Sequence, residues 1–207
     1  MTKKILITGA NGQLGHEMRN ALKGNNRFEC IFTDVAELDI CNAEAVKQII
    51  ADNHIDYIVN CAAYTQVDKA EDNAELCKKI NTDAVENLAR AAADYGARMI
   101  HISTDYVFNG RGYSPYTEDM PPDPQSVYGS TKLEGEKILT DICPESIIIR
   151  TAWLYSPYGN NFVKTMLHLG EEREELSVVA DQIGTPTCAA DLAQAILVIL
   201  QASFRSE

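Results

Sequence analysis

The chain has 207 residues, 45% of them hydrophobic and 23% charged, which suffices for one substantial domain or one domain plus a small appendage. Its formal net charge of −12, with no Lys/Arg cluster to offset it, argues against a nucleic-acid partner, which would call for a basic stripe. No membrane span and no secretory leader is expected, and the six scattered cysteines suit neither a zinc site nor a redox pair, so a cytoplasmic protein with reduced thiols is expected.

Residues 4–8 form a short apolar run ended by Gly9, which predicts a strand buried on both faces. Residues 13–22 place Leu14, Met18 and Leu22 at helical spacing. A strand over 28–33 stops at Asp34, and a helix over 43–51 turns Val46, Ile49 and Ile50 inward. Next come a strand over 57–61, a long helix over 74–95 ended by Gly96, and a strand over 99–103. Glycines and prolines between 109 and 125 predict a surface loop. Beyond it a helix is predicted over 127–140 and a strand over 146–151, then helix over 161–169, strand over 176–180 and helix over 190–200.

This alternation predicts an α/β protein with a doubly wound parallel sheet of right-handed βαβ units, the Rossmann type. Residues 1–151 are expected to form the dinucleotide-binding domain. Residues 152–207 are expected to serve a small, incomplete substrate-binding region and the sheet edge.

Gly9-Ala-Asn11-Gly12-Gln13-Leu14-Gly15 lies between the first strand and the first helix. Glycines there permit a tight turn, close approach to a pyrophosphate and close helix–strand packing, and the helix start offers free N–H groups to the phosphates. Asp34 follows at the end of the second strand, where a carboxylate accepts from the adenosine ribose hydroxyls and repels a 2′-phosphate. The cofactor expected is NADH or NADPH, with NADH favoured.

Tyr128-Gly-Ser-Thr-Lys132 falls in a predicted helix, so Tyr128 and Lys132 share a face. A lysine ammonium near a phenol is expected to lower the phenol's pKa toward the range useful for proton transfer. The strand ending in Ser103-Thr104-Asp105 brings a hydroxyl to the edge where ligands sit in open α/β sheets. His54, His101 and His168 show no ligand-like spacing, and His16 is expected at the surface.

Together with Asn60–Thr65, Ser103–Phe108, Arg150–Tyr155, Asn161–Met166 and Asp181–Thr187, these motifs resemble the dTDP-4-dehydrorhamnose reductases of the extended short-chain dehydrogenase/reductase family. The resemblance implies NAD(P)H-dependent reduction of the C4 ketone of dTDP-4-dehydro-L-rhamnose. It also implies roles for single residues. Thr104 would be the catalytic hydroxyl, Tyr128 the general acid, and Lys132 its electrostatic partner and a ligand of the nicotinamide ribose. Asp105, Tyr106 and Trp153 would line the sugar pocket, while Gly12, Gln13, Leu14, Asp34, Asp39, Ile40, Ala62, Ala63 and Tyr64 would line the cofactor groove. A homodimer is implied, and a magnesium ion in some members, with no ligands assignable here. The sequence ends several dozen residues short of the family's usual length, so part of the wall over the nucleotide sugar is expected to be missing. Two alternatives stay open. One is another nucleotide-sugar epimerase, dehydratase or reductase with the same triad. The other is a non-catalytic cofactor-binding module like the regulatory beta subunit of methionine adenosyltransferase.

Overall fold

The computed structural model describes residues 2–203. Five strands form one parallel sheet in the order β2-β1-β3-β4-β5: β1 (Lys3–Thr8), β2 (Phe28–Phe32), β3 (Tyr57–Asn60), β4 (Arg98–Thr104) and β5 (Ile147–Thr151). Side chains alternate across a strand, so each strand feeds two cores. Ile5 and Ile7 pack with Leu14 and Met18 of α1 (Gln13–Leu22) and with Leu192, Ile196 and Leu200 of α8 (Ala189–Ser203). Leu6 points the other way, to Val46 and Ile50 of α2 (Ala43–Asn53), Leu88 of α5 (Ala84–Tyr95) and Leu139 of α6 (Val127–Ile142).

The sheet is therefore doubly wound. Its order reverses at β1, and the crevice between the ends of β1 and β3 is where such sheets hold ligands. Gly9 ends β1 at that crevice with φ +64, a conformation that favours glycine, and a side chain there would collide with the Cys61–Ala62 backbone after β3.

Three expectations change. The long helix over 74–95 is α4 (Ala74–Lys78), a π-helical turn (Lys79–Asp83) and α5. The widened turn pushes Asn81 toward α6, where Gly135 has no side chain to block its carbonyl, and the Asn81 amide clamps Tyr64 by N–H···Oδ1 at 2.9 Å and Nδ2–H···O at 3.1 Å. A short helix, α3 (Val67–Ala70), precedes it. The strand expected over 176–180 does not form. Val178 and Val179 stay exposed, and no strand among the described residues pairs with that stretch. Instead β6 (Leu154–Tyr155) pairs in parallel with β7 (Thr187–Cys188), with α7 (Phe162–Glu172) between them.

Candidate active site

A groove of about 1250 Å³ runs along the C-terminal edge of the sheet, from the glycine turn to Trp153. At one end, Gly15 tolerates no side chain because its Cβ would overlap Gly9 and Ala10, so the start of α1 lies directly on the turn. Gly12 caps α1 without a side-chain partner, which leaves N–H groups of the first helical turn for a ligand. A cradle that side chains would fill, beneath a helix N-terminus, fits the pyrophosphate of a dinucleotide. The Asp34 carboxylate accepts from Asn11 N–H and Val35 N–H, each at 2.9 Å, and so ties β2 to the turn as well as facing the groove.

Further along, the N-cap Ser126 accepts from Gly129 N–H at 3.1 Å and starts α6. Gly129 has no side chain because the Tyr106 carbonyl occupies that space. This close contact sets the Tyr106 and Tyr128 rings edge to face at 5.6 Å and brings Tyr128 beside Thr104. Thr104 ends β4; its hydroxyl donates to Asp105 Oδ1 at 3.2 Å and accepts from Tyr106 N–H at 3.2 Å. One helical turn beyond Tyr128, Lys132 is fully buried and donates to the Ile102 carbonyl at 2.6 Å.

Burial dominates the ionisation of both groups. It pushes the Tyr128 phenol up to about 12, with the Thr104 hydroxyl pulling the other way, and brings Lys132 down to about 8. The expected lowering of Tyr128 by a lysine charge is thus overridden by burial. Such a phenol stays protonated at neutral pH and is suited to give a proton rather than take one.

Most residues expected from the sequence meet in this groove. Asn11, Gly12, Gln13, Leu14, Asp34, Asp39, Ile40, Ala62 and Ala63 line the end at the glycine turn, and Thr104, Tyr106, Tyr128, Lys132 and Trp153 the other. Gly15 supports the turn from behind. Tyr64 joins the apolar cluster of Ala70, Cys77 and Tyr128, and Asp105 holds Thr104; neither is among the lining residues. Trp153 stands at φ +46, with its ring 3.3 Å from where a Gly184 side chain would begin, and it remains 41% exposed.

Sequence reasoning missed Val35, Gly159 and Asn160, which line the groove from loops. It also missed a clamp in which Asn161 Nδ2 donates to Gln13 Oε1 at 2.9 Å, tying the second segment to the glycine turn. Ser103 and Thr151 carry buried hydroxyls without protein partners near Thr104, and both line the groove.

The profile of the RmlD substrate binding domain matches residues 3–207. The chain belongs to this family. It is 45% identical to dTDP-4-dehydrorhamnose reductase of Aggregatibacter actinomycetemcomitans, covering 96% of this chain and 67% of that protein. It is 48% identical to dTDP-4-dehydrorhamnose reductase of Escherichia coli K12, covering 91% and 64%. The chain thus spans about two thirds of the length of these curated relatives. Among solved structures, the Clostridium acetobutylicum reductase superposes with a TM-score of 0.93 at 51% identity, covering 96% of this chain and 70% of that one. The Bacillus anthracis reductase, solved in complex with NADP, superposes with a TM-score of 0.94 at 44% identity, covering 98% and 72%.

Proposed function

We propose that this member of the RmlD family takes part in reducing the C4 ketone of dTDP-4-dehydro-L-rhamnose to dTDP-L-rhamnose. The single observation that carries the reading is the convergence of Thr104, Tyr128 and Lys132 at one end of a groove whose other end is the glycine cradle. A bound nicotinamide cofactor supplies the hydride. As negative charge grows on the ketone oxygen, Tyr128 gives its proton to that oxygen and Thr104 donates a hydrogen bond to it. Lys132 would hold the nicotinamide ribose and serve as the electrostatic partner of Tyr128, as the resemblance implies. Asp105 orients Thr104, while Tyr106 and Trp153 offer aromatic faces to the apolar side of the sugar.

Residues 1–151 supply the cofactor cradle, and 152–207 contribute the sugar side through Trp153 and the 159–161 loop. Either NADH or NADPH is the expected donor. Asp34 tilts the choice toward NADH, whereas the Bacillus anthracis relative was solved with NADP. A homodimer follows the family resemblance, as does a magnesium ion in some members, while the scattered cysteines favour a cytoplasmic location. None of the helices described is long and apolar enough to cross a membrane.

The test follows nicotinamide absorbance with dTDP-4-dehydro-L-rhamnose for the wild type and Tyr128→Phe. The variant should lose roughly 10²–10⁴-fold in turnover and keep its affinity for the cofactor. Equal turnover by both would remove Tyr128 from the mechanism. Cofactor binding by this chain without turnover, where a full-length relative consumes the cofactor, would point to a truncated or regulatory form.

A further inference from the structure

Among the described residues, three buried side-chain hydroxyls have no hydrogen-bond partner: Ser103, Ser146 and Thr151. A buried hydroxyl left unbonded weakens a fold, so each one asks for a reason. Ser146 lies just before β5 and away from the groove. Ser103 and Thr151 line the groove, and the mechanism above uses neither.

Thr151 is the last residue of β5, and its surroundings explain why its hydroxyl is unbonded. Side chains alternate along a strand, so Thr151 shares a face with Ile149. Ile149, Ile102 and Leu154 all pack against the apolar cluster beneath α1 and α8. Thr104 stands in register across the strand pair, but its hydroxyl is taken up by Asp105 and Tyr106. Two residues on, Trp153 takes the left-handed backbone that turns the chain out of the sheet, so Thr151 is the rung of β5 that borders the groove. Its Oγ1 is closed to water. One step about χ1 moves a threonine's hydroxyl to the place of its methyl group, and here that step gives up no hydrogen bond.

The ends of β1, β3, β4 and β5 follow one another along the groove floor. A dinucleotide with its adenosine ribose toward Asp34 and its pyrophosphate on the turn after β1 reaches β5 last, with its nicotinamide end. Three strand spacings of about 4.8 Å separate β1 from β5, which a ribose and a nicotinamide ring in series bridge. In the reading above, the sugar meets Tyr106 and Trp153, and its ketone oxygen meets Thr104 and Tyr128. A nicotinamide ring has one hydrogen-bonding group, its carboxamide, which both donates and accepts, and a hydroxyl can answer either. We propose that Thr151 is a specificity residue for the cofactor, whose hydroxyl turns into the groove and bonds the nicotinamide carboxamide. The proposal rests on the reading of the groove as a nicotinamide-dinucleotide site. The hydroxyl leaves no protein partner behind, so the new bond counts in full toward affinity.

Thr151→Val keeps the shape of the side chain and removes the hydroxyl. Thermal unfolding without ligand should show its Tm raised by at least about 2 °C, because a methyl group replaces an unbonded hydroxyl. A Tm at or below that of the wild type overturns the premise. Calorimetric titration then compares NADPH with 2′-phospho-ADP-ribose, which reaches the same cradle and lacks only the nicotinamide ring. The variant should bind NADPH about three- to tenfold more weakly than the wild type, and the truncated ligand within about twofold. Thr151→Ser, which keeps the hydroxyl, should hold NADPH within about twofold of the wild type. An equal loss on both ligands, no loss on NADPH, or a serine variant as weak as the valine one overturns the proposal. So does a loss confined to dTDP-L-rhamnose, which would give the hydroxyl to the sugar, or an NADPH-specific loss in Ser103→Ala alone. Wild-type protein that binds neither ligand would sink the reading of the groove as well, whereas tight NADPH binding by the wild type and Thr151→Val alike removes Thr151 only.

Discussion

Gly15→Ala puts the glycine turn to a quantitative test. A methyl group at Gly15 would lie 2.5 Å from Ala10 Cα and 2.6 Å from Ala10 C. Carbon atoms rest at about 3.5–4.0 Å, so the start of α1 must retreat from the turn by about an ångström. Over-packing of this kind costs about 1–3 kcal/mol, which for a domain of this size is a fall in Tm of roughly 2–12 °C. The same retreat carries the free N–H groups of α1 away from a bound phosphate. Losing one charge-assisted hydrogen bond, worth about 1.5–3 kcal/mol, weakens cofactor binding by at least about tenfold. Gly12→Ala is the control, because its methyl meets only the Gly9 carbonyl, at 3.2 Å. That variant should stay within about 2 °C of wild type yet also lose affinity, since its methyl stands at the helix start. Calorimetric titration with NADPH and thermal unfolding read the two effects separately. A Gly15→Ala protein with wild-type Tm and affinity would refute the close contact as the reason for the glycine.

Acid should act on His101. Burial, and then Lys132, push this ring well below the ordinary histidine range, so the folded state holds it neutral. Below about pH 6.5 the unfolded ring binds a proton that the folded ring does not, and stability falls with falling pH by up to about 1.36 kcal/mol per unit. His101→Gln should flatten the urea-unfolding profile between about pH 6.5 and 4.5 by that slope; parallel profiles would contradict it. Glu136 binds Arg150 through both oxygens, with Nη2 to Oε2 at 2.6 Å and the glutamate side chain only 5% exposed. Glu136→Ala leaves the guanidinium over the Phe108 ring without a counter-charge. It should cost about 2–4 kcal/mol in urea unfolding, somewhat less than a fully enclosed pair because Arg150 keeps some contact with water. At Trp153, a left-handed backbone costs a side-chain-bearing residue about 1–2 kcal/mol. Trp153→Gly should therefore be more stable than Trp153→Ala by about 1 kcal/mol, with both binding the sugar nucleotide more weakly. Equal stabilities would show that the strain is absent.

The parts of this molecule legible in its sequence are those fixed by local chemistry. A glycine turn after an apolar run, an acid at the next strand end and a Tyr/Lys pair four residues apart each have a reason that sits within a few residues. What escaped depends on neighbours distant in sequence. The stretch over 74–95 keeps an apolar face throughout, so its periodicity gives no sign of the π turn, which exists because Gly135 leaves room for the Asn81 carbonyl. Residues 176–180 have strand-like composition, but a strand needs an edge to pair with, and β6 is taken by Thr187–Cys188. His101 looks inert in sequence because its two partners arrive from β3 and α6. The one signal available was a histidine inside a run otherwise apolar on both sides, Met99-Ile100 and Ile102.

The packing of α8 against α1 sets a condition on how the chain is made. Ile5, Ile7, Met18 and Val59 appear early in synthesis, yet the layer that covers them includes Leu192, Ile196 and Leu200, which leave the ribosome much later. Domains begin to fold from their N-terminus during synthesis, and uncovered apolar faces are prone to aggregate. Until α8 emerges, the nascent sheet can close the α2–α5–α6 side but must wait, with its opposite face exposed, for that helix. The cradle for the pyrophosphate rests on the same α1, so cofactor binding depends on the docking of α8 as well as on the glycine turn.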